Sequence, residues 1–212
     1  MAFVAPAESA VLAELDGLMA ESFGRVRDAL EGAGRAFLAG DRVEARRVCA
    51  DDKLLDDLHE HIQALALGAL VRVPHPAEDH VRSLVTIVRI APELERSGDL
   101  ATHIADLAAQ GLATWLTPRA RDLIAQMGAI GVEMWQRAAN AYAERDSSAA
   151  ERLRIIDDEI DDLHVSLITE LAAMPVSVPV AVQVGLVARY FERLGDHAVN
   201  VTRQLRHLRH PD

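Results

Sequence analysis

The chain has 212 residues, half of them hydrophobic and only 4% aromatic, with a formal net charge of −11. That length supports a sizeable core, as one long domain or two small ones, and the core must be built from Ala, Leu, Val and Ile. The acidic balance argues against a nucleic-acid partner, which normally meets a basic patch, and points to cations or basic partner surfaces.

With helix formers abundant and β-rich composition absent, the chain reads as all-α, with six helices in chain order. The first runs from about Pro6 to Ala39, with Val11, Leu12, Leu15, Leu18, Met19, Val26, Leu30 and Phe37 near a helical period. Gly40 ends it and Asp41 caps the second, which extends to about Val71. Pro74-His75-Pro76 breaks the chain. The third helix spans about Ala77 to Trp115, with Pro92 inside it as a kink. Thr117-Pro118 opens the fourth, which continues to about Arg145. Asp146-Ser147-Ser148 caps the fifth, which ends near Met174. Pro175 to Pro179 form the next break, and the sixth runs from about Val180 to His210. Short connections favour antiparallel neighbours. The expected architecture is two tandem, pseudo-symmetric antiparallel three-helix bundles, residues 1–115 and 116–212.

Several features bear on location. Met1 to Ala20 lacks the basic start of a secretory leader and already carries Glu8, Glu14 and Asp16. The longest uncharged stretch, Leu171 to Ala188, is interrupted by Pro175 and Pro179, so it reads as a loop and a buried helix start rather than a membrane span. A cytoplasmic chain is expected. The single cysteine, Cys49, has no internal disulfide partner and reads as a small buried residue. Trp115 and Trp135 read as core or inter-bundle packing. The basic end at Arg203, Arg206, His207, Arg209 and His210 complements the helix dipole.

The chain says nearly the same thing twice. Glu95-Arg96-Ser97-Gly98-Asp99-Leu100-Ala101 recurs as Glu192-Arg193-Leu194-Gly195-Asp196-His197-Ala198, about 97 residues on. Asp52-x-x-x-Asp56-x-x-His59 recurs as Asp157-x-x-x-Asp161-x-x-His164, about 105 residues on. Asp52/Asp56, Glu95/Asp99, Asp157/Asp161 and Glu192/Asp196 all lie four apart, on one helix face, where like charges repel by a few tenths of a kcal/mol. In an antiparallel hairpin, residues equidistant from the turn share one level. The first two pairs are equidistant from His75-Pro76 and the second two from the Pro175 to Pro179 break. Each half therefore brings four carboxylates side by side.

Such a cluster raises its own pKa values unless a multivalent cation relieves it. Carboxylates suit Mg²⁺, Mn²⁺ and Fe, and added imidazole shifts the preference toward Fe, Mn or Zn. His59 and His164 stand three residues after Asp56 and Asp161, the acidic-x-x-His spacing with which helical bundles point two ligands inward. His103 lies four after Asp99, and Asn200 takes the matching place. The competing reading is a solvated acidic surface in which Arg96 and Arg193 pair with nearby acids and the histidines serve as hydrogen-bond partners. Gly98 and Gly195 each cost about 1 kcal/mol in a helix relative to alanine, which fits close approach of a neighbouring helix.

These residues resemble the PhoU family of phosphate-uptake regulators. Arg189-Tyr190-Phe191-Glu192-Arg193-Leu194-Gly195-Asp196-His197-Ala198-Val199-Asn200-Val201 is similar to the family signature, and Leu94 to Asp99 is the same motif in the first half. Asp52-Lys53 and Asp157-Asp158 match the other acidic motif. The resemblance implies two symmetric three-helix bundles, with multinuclear metal clusters on the acidic motifs in some members. It implies no enzymatic activity, and a role in holding down the phosphate-specific ABC transporter and the two-component phosphate response. The implied partners are the transporter ATPase and the sensor histidine kinase, met at the membrane only through those partners. A homodimer is also expected. The chain departs from the pattern at His59 and His164, at Ser97 in place of an aliphatic residue, at His103 and at Pro92. Two other readings stand beside it: a carboxylate-bridged oxidase or hydrolase, and an accessory protein of another phosphate transporter.

Overall fold

A computed structural model of the chain describes residues 6–72 and 77–208. Six long helices carry nearly all of it: α1 (Pro6–Ala39), α2 (Arg42–Arg72), α3 (Glu78–Ala108), α4 (Pro118–Ala143), α5 (Ala149–Ala173) and α6 (Val178–Gln204). The all-α expectation holds, with no strand among the described residues. The break at Pro74-His75-Pro76 lies outside the described residues, as do Arg209 and His210.

Local chemistry sets the boundaries. Gly40 takes a left-handed φ of 66° after α1, and the Asp41 carboxylate accepts the Val43 and Glu44 amides at 2.9 and 3.1 Å, capping α2. α3 runs through Pro92 without ending there. It stops at Ala108, short of the expected Trp115, and Gly111 at φ 70° turns the chain into a separate 3-10 turn, Leu112–Trp115. The Thr117 hydroxyl accepts the Ala120 amide at 3.0 Å and starts α4. Before α5, Asp146 accepts the Ser148 amide at 2.8 Å. Pro179 belongs to the first turn of α6 rather than to the break, because its missing N–H is one of the four that a helix start leaves unused.

α1, α2 and α3 pack on one another, as do α4, α5 and α6; α1 also lies along α4, and α3 along α6. The two bundles therefore share a continuous core that includes Phe23, Leu30, Leu94, Met127, Trp135 and Phe191. Phe191 of α6 is fully buried. Its ring would contact a Cβ at Gly34 of α1 (3.7 Å) and at Gly128 of α4 (3.5 Å), so two glycines seat one phenyl ring across the bundle boundary. Arg121 ties the junction, donating to the Ala113 carbonyl at 3.0 Å and to the Leu38 carbonyl at 2.8 Å near the end of α1. After α6, Arg82 donates to the His207 carbonyl at 3.5 Å and Arg89 to His207 Nε2 at 2.8 Å.

Two expectations need correction. Trp115 is 66% exposed, because the 3-10 turn projects it away from the core, whereas Trp135 is fully buried. Cys49 is only partly buried. Its thiol lies 3.3 Å from Asp106 Oδ1, and burial followed by that contact pushes its pKa up to about 11. No helix among the described residues is long and apolar enough to cross a membrane.

Candidate metal centre

In the first bundle, α2 and α3 run antiparallel and bring Asp56 against Glu95 and Asp99. One oxygen from each of these three carboxylates lies within 4.8 Å of the others, a group of three potential ligands with Asp56 exposed and the other two half-buried. The close approach depends on Gly98: a Cβ there would meet Leu55 Cδ2 at 2.3 Å and Asp52 Oδ1 at 3.3 Å. Burial, then Asp99 and Asp56, raise the Asp52 pKa. Burial, then Asp99, raise that of Glu95, opposed by the His59 imidazole. His59 Nε2 stands 2.6 Å from the Gln63 amide, while its Nδ1 is buried without a hydrogen-bond partner.

The second bundle repeats the layout on α5 and α6. Asp157 is held over Gly195, where a Cβ would stand 2.5 Å from its Oδ1. Burial first, then Asp196, Asp161 and Glu192, push the Asp157 pKa up to about 7. Asp161 and Glu192 are also raised, each chiefly by burial. The difference lies at Glu192, whose Oε1 is paired with Arg189 one turn earlier on α6. Its Oε2 is buried and unpartnered. The same guanidinium acts on His164, whose pKa is lowered by burial and then by Arg189.

Among the described residues, only Asp56, Glu95 and Asp99 bring ligand oxygens within 4.8 Å of one another; Asp52, and the four acids of the second half, lie near enough to raise one another's pKa values without closing to that distance. His103 reaches the first group only electrostatically, opposing the rise in the Asp52 pKa, and Asn200 points to a partner of its own. His103 stacks on Tyr190 of α6 at 5.4 Å between ring centroids, and Asn200 accepts from Arg203 at 3.0 Å. Arg96 pairs with Glu93 at 3.3 Å. Two residues were missed from sequence. Arg189 is one, and its i, i+3 spacing to Glu192 would have disclosed it; the matching position before Glu95 is Pro92. The other is His197, which is buried where α6 meets α3. Its Nδ1 lies 3.3 Å from Glu93 Oε2 and 3.3 Å from Ser97 Oγ.

In the first half, three carboxylate oxygens within 4.8 Å of one another, with an orphaned imidazole nitrogen of His59 beside them, fit a hard or borderline cation.

The PhoU domain family matches residues 20–108 and 124–205, spanning both sets of acids. The chain belongs to the PhoU family. It is 31% identical over 197 residues to phosphate-specific transport system accessory protein PhoU homolog 2 of Mycobacterium bovis, covering 92% of each chain. It is 30% identical over 197 residues to PhoU homolog 1 of Mycobacterium tuberculosis, covering 92% of this chain and 89% of that one. The crystal structure of PhoU from Pseudomonas aeruginosa has the same fold, with a TM-score of 0.87 at 24% identity over 94% of this chain and 97% of that one. The PhoU-family fold therefore accounts for the six helices and their pairing into two bundles.

Proposed function

We propose that this PhoU-family chain is a non-enzymatic, metal-binding negative regulator of phosphate uptake and of the phosphate-starvation response. It acts in the cytoplasm as an adaptor between the phosphate ABC transporter ATPase and the sensor histidine kinase, reaches the membrane only through them, and works as a homodimer. One observation carries the reading: a doubled acid face, built twice by the same motif, in a chain whose relatives are named as accessories of phosphate-specific transport.

Asp56, Glu95 and Asp99 would hold a metal in the first half, with Asp52 and His59 beside them. Asp157, Asp161, Glu192 and Asp196, with His164, would hold one in the second. Fe, Mn, Zn or Mg suits these donors, and a bound cation would supply the positive charge that the converging carboxylates lack. Glycine at 98 and 195 lets the helices close until the acids meet, and the half-burial of Glu95, Asp99 and Glu192 strengthens each charge interaction. An exposed member such as Asp56 leaves the face open to solvent, which suits binding better than shielded turnover.

The test is genetic and analytical together. A strain lacking the protein is expected to express phosphate-starvation genes in high phosphate, and the wild-type chain to restore repression. Protein purified without chelators is expected to carry metal that the triple variant Asp56→Asn, Glu95→Gln, Asp99→Asn loses from its first half. Normal repression in the deleted strain refutes the regulatory role, and metal-free wild-type protein refutes the metal.

A further inference from the structure

The uncharged stretch Leu171 to Ala188, expected as a loop and a buried helix start, is open to solvent along one side. Val178, Val182 and Leu186 recur every four residues on α6 and are exposed, the first two at 75% and 56%. On α5, Val165 at 64% and Ile168 are exposed as well, with Ala172 one turn further on. Two contacts fix the stagger of these antiparallel helices. A Cβ at Gly185 would stand 3.6 Å from Ile168 Cδ1, and one at Gly195 would stand 2.5 Å from Asp157 Oδ1. Ala172 therefore lies near the level of Val182, and Val165 near that of Leu186. The buried residues point the other way, Leu167 and Leu171 on α5 and Val184, Val187 and Ala188 on α6. The six apolar side chains thus share the outer face of one hairpin.

The first half does not repeat this strip. By the offsets of the repeat, Val165, Ile168 and Leu186 correspond to Glu60, Gln63 and Arg89. Val178 and Val182 correspond to Val81 and Val85, which are half-buried beside His207 of the 3-10 turn Leu205–Leu208. At these five positions one half carries a polar side chain or a cover, and the other carries neither. Valine is a weaker helix former than alanine or the charged residues usual on an open face, so helix stability does not account for the strip. Contiguous exposed apolar surface of this kind marks an interaction face. Its far end is acidic. Asp158 and Asp162 stand seven and three residues before Val165 on the same side of α5, both exposed and neither assigned to the metal. The nearby guanidiniums are already engaged, Arg154 with Glu151 and Arg189 with Glu192.

We propose that this face docks a basic amphipathic helix of a partner protein. Apolar side chains of that helix, at spacings of four and three, lie on the strip, and its lysines or arginines meet Asp158 and Asp162. Seven residues separate Val165 from Asp158, which is about 10 Å or two helical turns, so apolar anchors and basic end belong to one partner helix. An anionic lipid surface is opposed by the same carboxylates, and a second copy brings another net charge of −11. The proposal rests on the adaptor reading for the existence of a partner and adds that partner's chemistry and the face it meets.

The probe is a fluorescein-labelled, alanine-based synthetic helix with leucines at spacings of four and three and, two turns on along the same face, three lysines. Fluorescence anisotropy of this peptide with the full chain is expected to saturate, and a peptide with glutamate for each lysine to bind about tenfold more weakly or worse. Val182→Ser with Leu186→Gln is expected to weaken the lysine peptide by about tenfold or more. Asp158→Asn with Asp162→Asn is expected to weaken it by about fivefold and to flatten its salt dependence. Leu67→Ser with Val71→Ser, on exposed apolar residues at the tip of the first half, is expected to change nothing. Unchanged affinity in the Val182/Leu186 variant overturns the site, and equal binding of the glutamate peptide overturns the basic partner. Loss in that variant of self-association by sedimentation velocity, or of binding to phosphatidylglycerol vesicles, gives the face to a second copy or to lipid and also overturns the proposal. The regulatory reading is scored separately in the deleted strain, so lost repression without peptide binding removes this inference alone.

Discussion

The two acid faces come from one repeated motif, yet they are not electrostatic copies. In the first half, Pro92 stands one turn before Glu95, so that carboxylate has no ion pair one turn back and is opposed only electrostatically by His59 and then Arg96. In the second, Arg189 stands at the matching position and pairs with Glu192. The first face is a bare trio whose oxygens are already within 4.8 Å of one another. The second carries an internal cation that neutralises part of it and disfavours the charged form of His164. The residue one turn before the shared motif, Pro92 in one half and Arg189 in the other, therefore leaves the first acid face without the cation that the second carries on its own helix.

Exchanging that difference should give the largest effect. Arg189→Gln is expected to raise the metal affinity of the second half by about tenfold, because a competing unit charge leaves a half-buried site. Pro92→Arg, which plants a guanidinium one turn before Glu95, is expected to lower that of the first half by a similar factor. Isothermal titration on variants with the opposite face neutralised reads each half alone; equal affinities before and after exchange would show that Arg189 has no role in the asymmetry.

A smaller effect separates the glycines. Alanine at Gly98 meets the buried Leu55 side chain, and this overpacking should outweigh the gain in helix propensity, for a net loss of about 1–2 kcal/mol. Alanine at Gly195 meets chiefly the tip of a half-exposed carboxylate, Asp157, which can swing away, with the end of the Ile160 side chain next at 3.3 Å. It should leave stability nearly unchanged and lower the Asp157 pKa. Chemical denaturation and carboxylate NMR titration distinguish the two; equal destabilisation would contradict the picture of one packing contact and one charge contact.

The smallest effect is the pH dependence of the metal-free protein. The Asp157 pKa is about 7 when folded, against 3.8 for an ordinary aspartate. The native state thus keeps a proton that the unfolded chain has already released. Its stabilisation is complete below about pH 4 and is lost as pH rises through about 7, amounting to about 1 kcal/mol once solvent screening is allowed for. Asp157→Asn should flatten the thermal melts over this window, whereas substitution of the exposed Asp158 should not. A slope of opposite sign would mean that the cluster does not hold that proton.

Much of this was legible in the residues. Periodicity and proline placement marked the six helices, and the acids at i, i+4, equidistant from the first break, pointed to the meeting of Asp56 with Glu95 and Asp99. Glycine inside two helices correctly signalled close approach. Arg189 was hidden because the repeat was read from the glutamate onward, and its partner position holds a residue of unlike chemistry. Trp115 and Cys49 were misplaced for a related reason: hydrophobic character predicts burial on average, but Gly111 redirects the first and Asp106 on the facing helix contacts the second.

His197 follows Asp196 directly and reaches across to Glu93 and Ser97, which bracket the start of the other motif. The helices α3 and α6, which carry the two acid motifs, are therefore joined to each other on their buried sides. Close-packed interiors transmit displacement rather than absorb it. A displacement of α3 in one half therefore reaches α6 in the other through this buried contact.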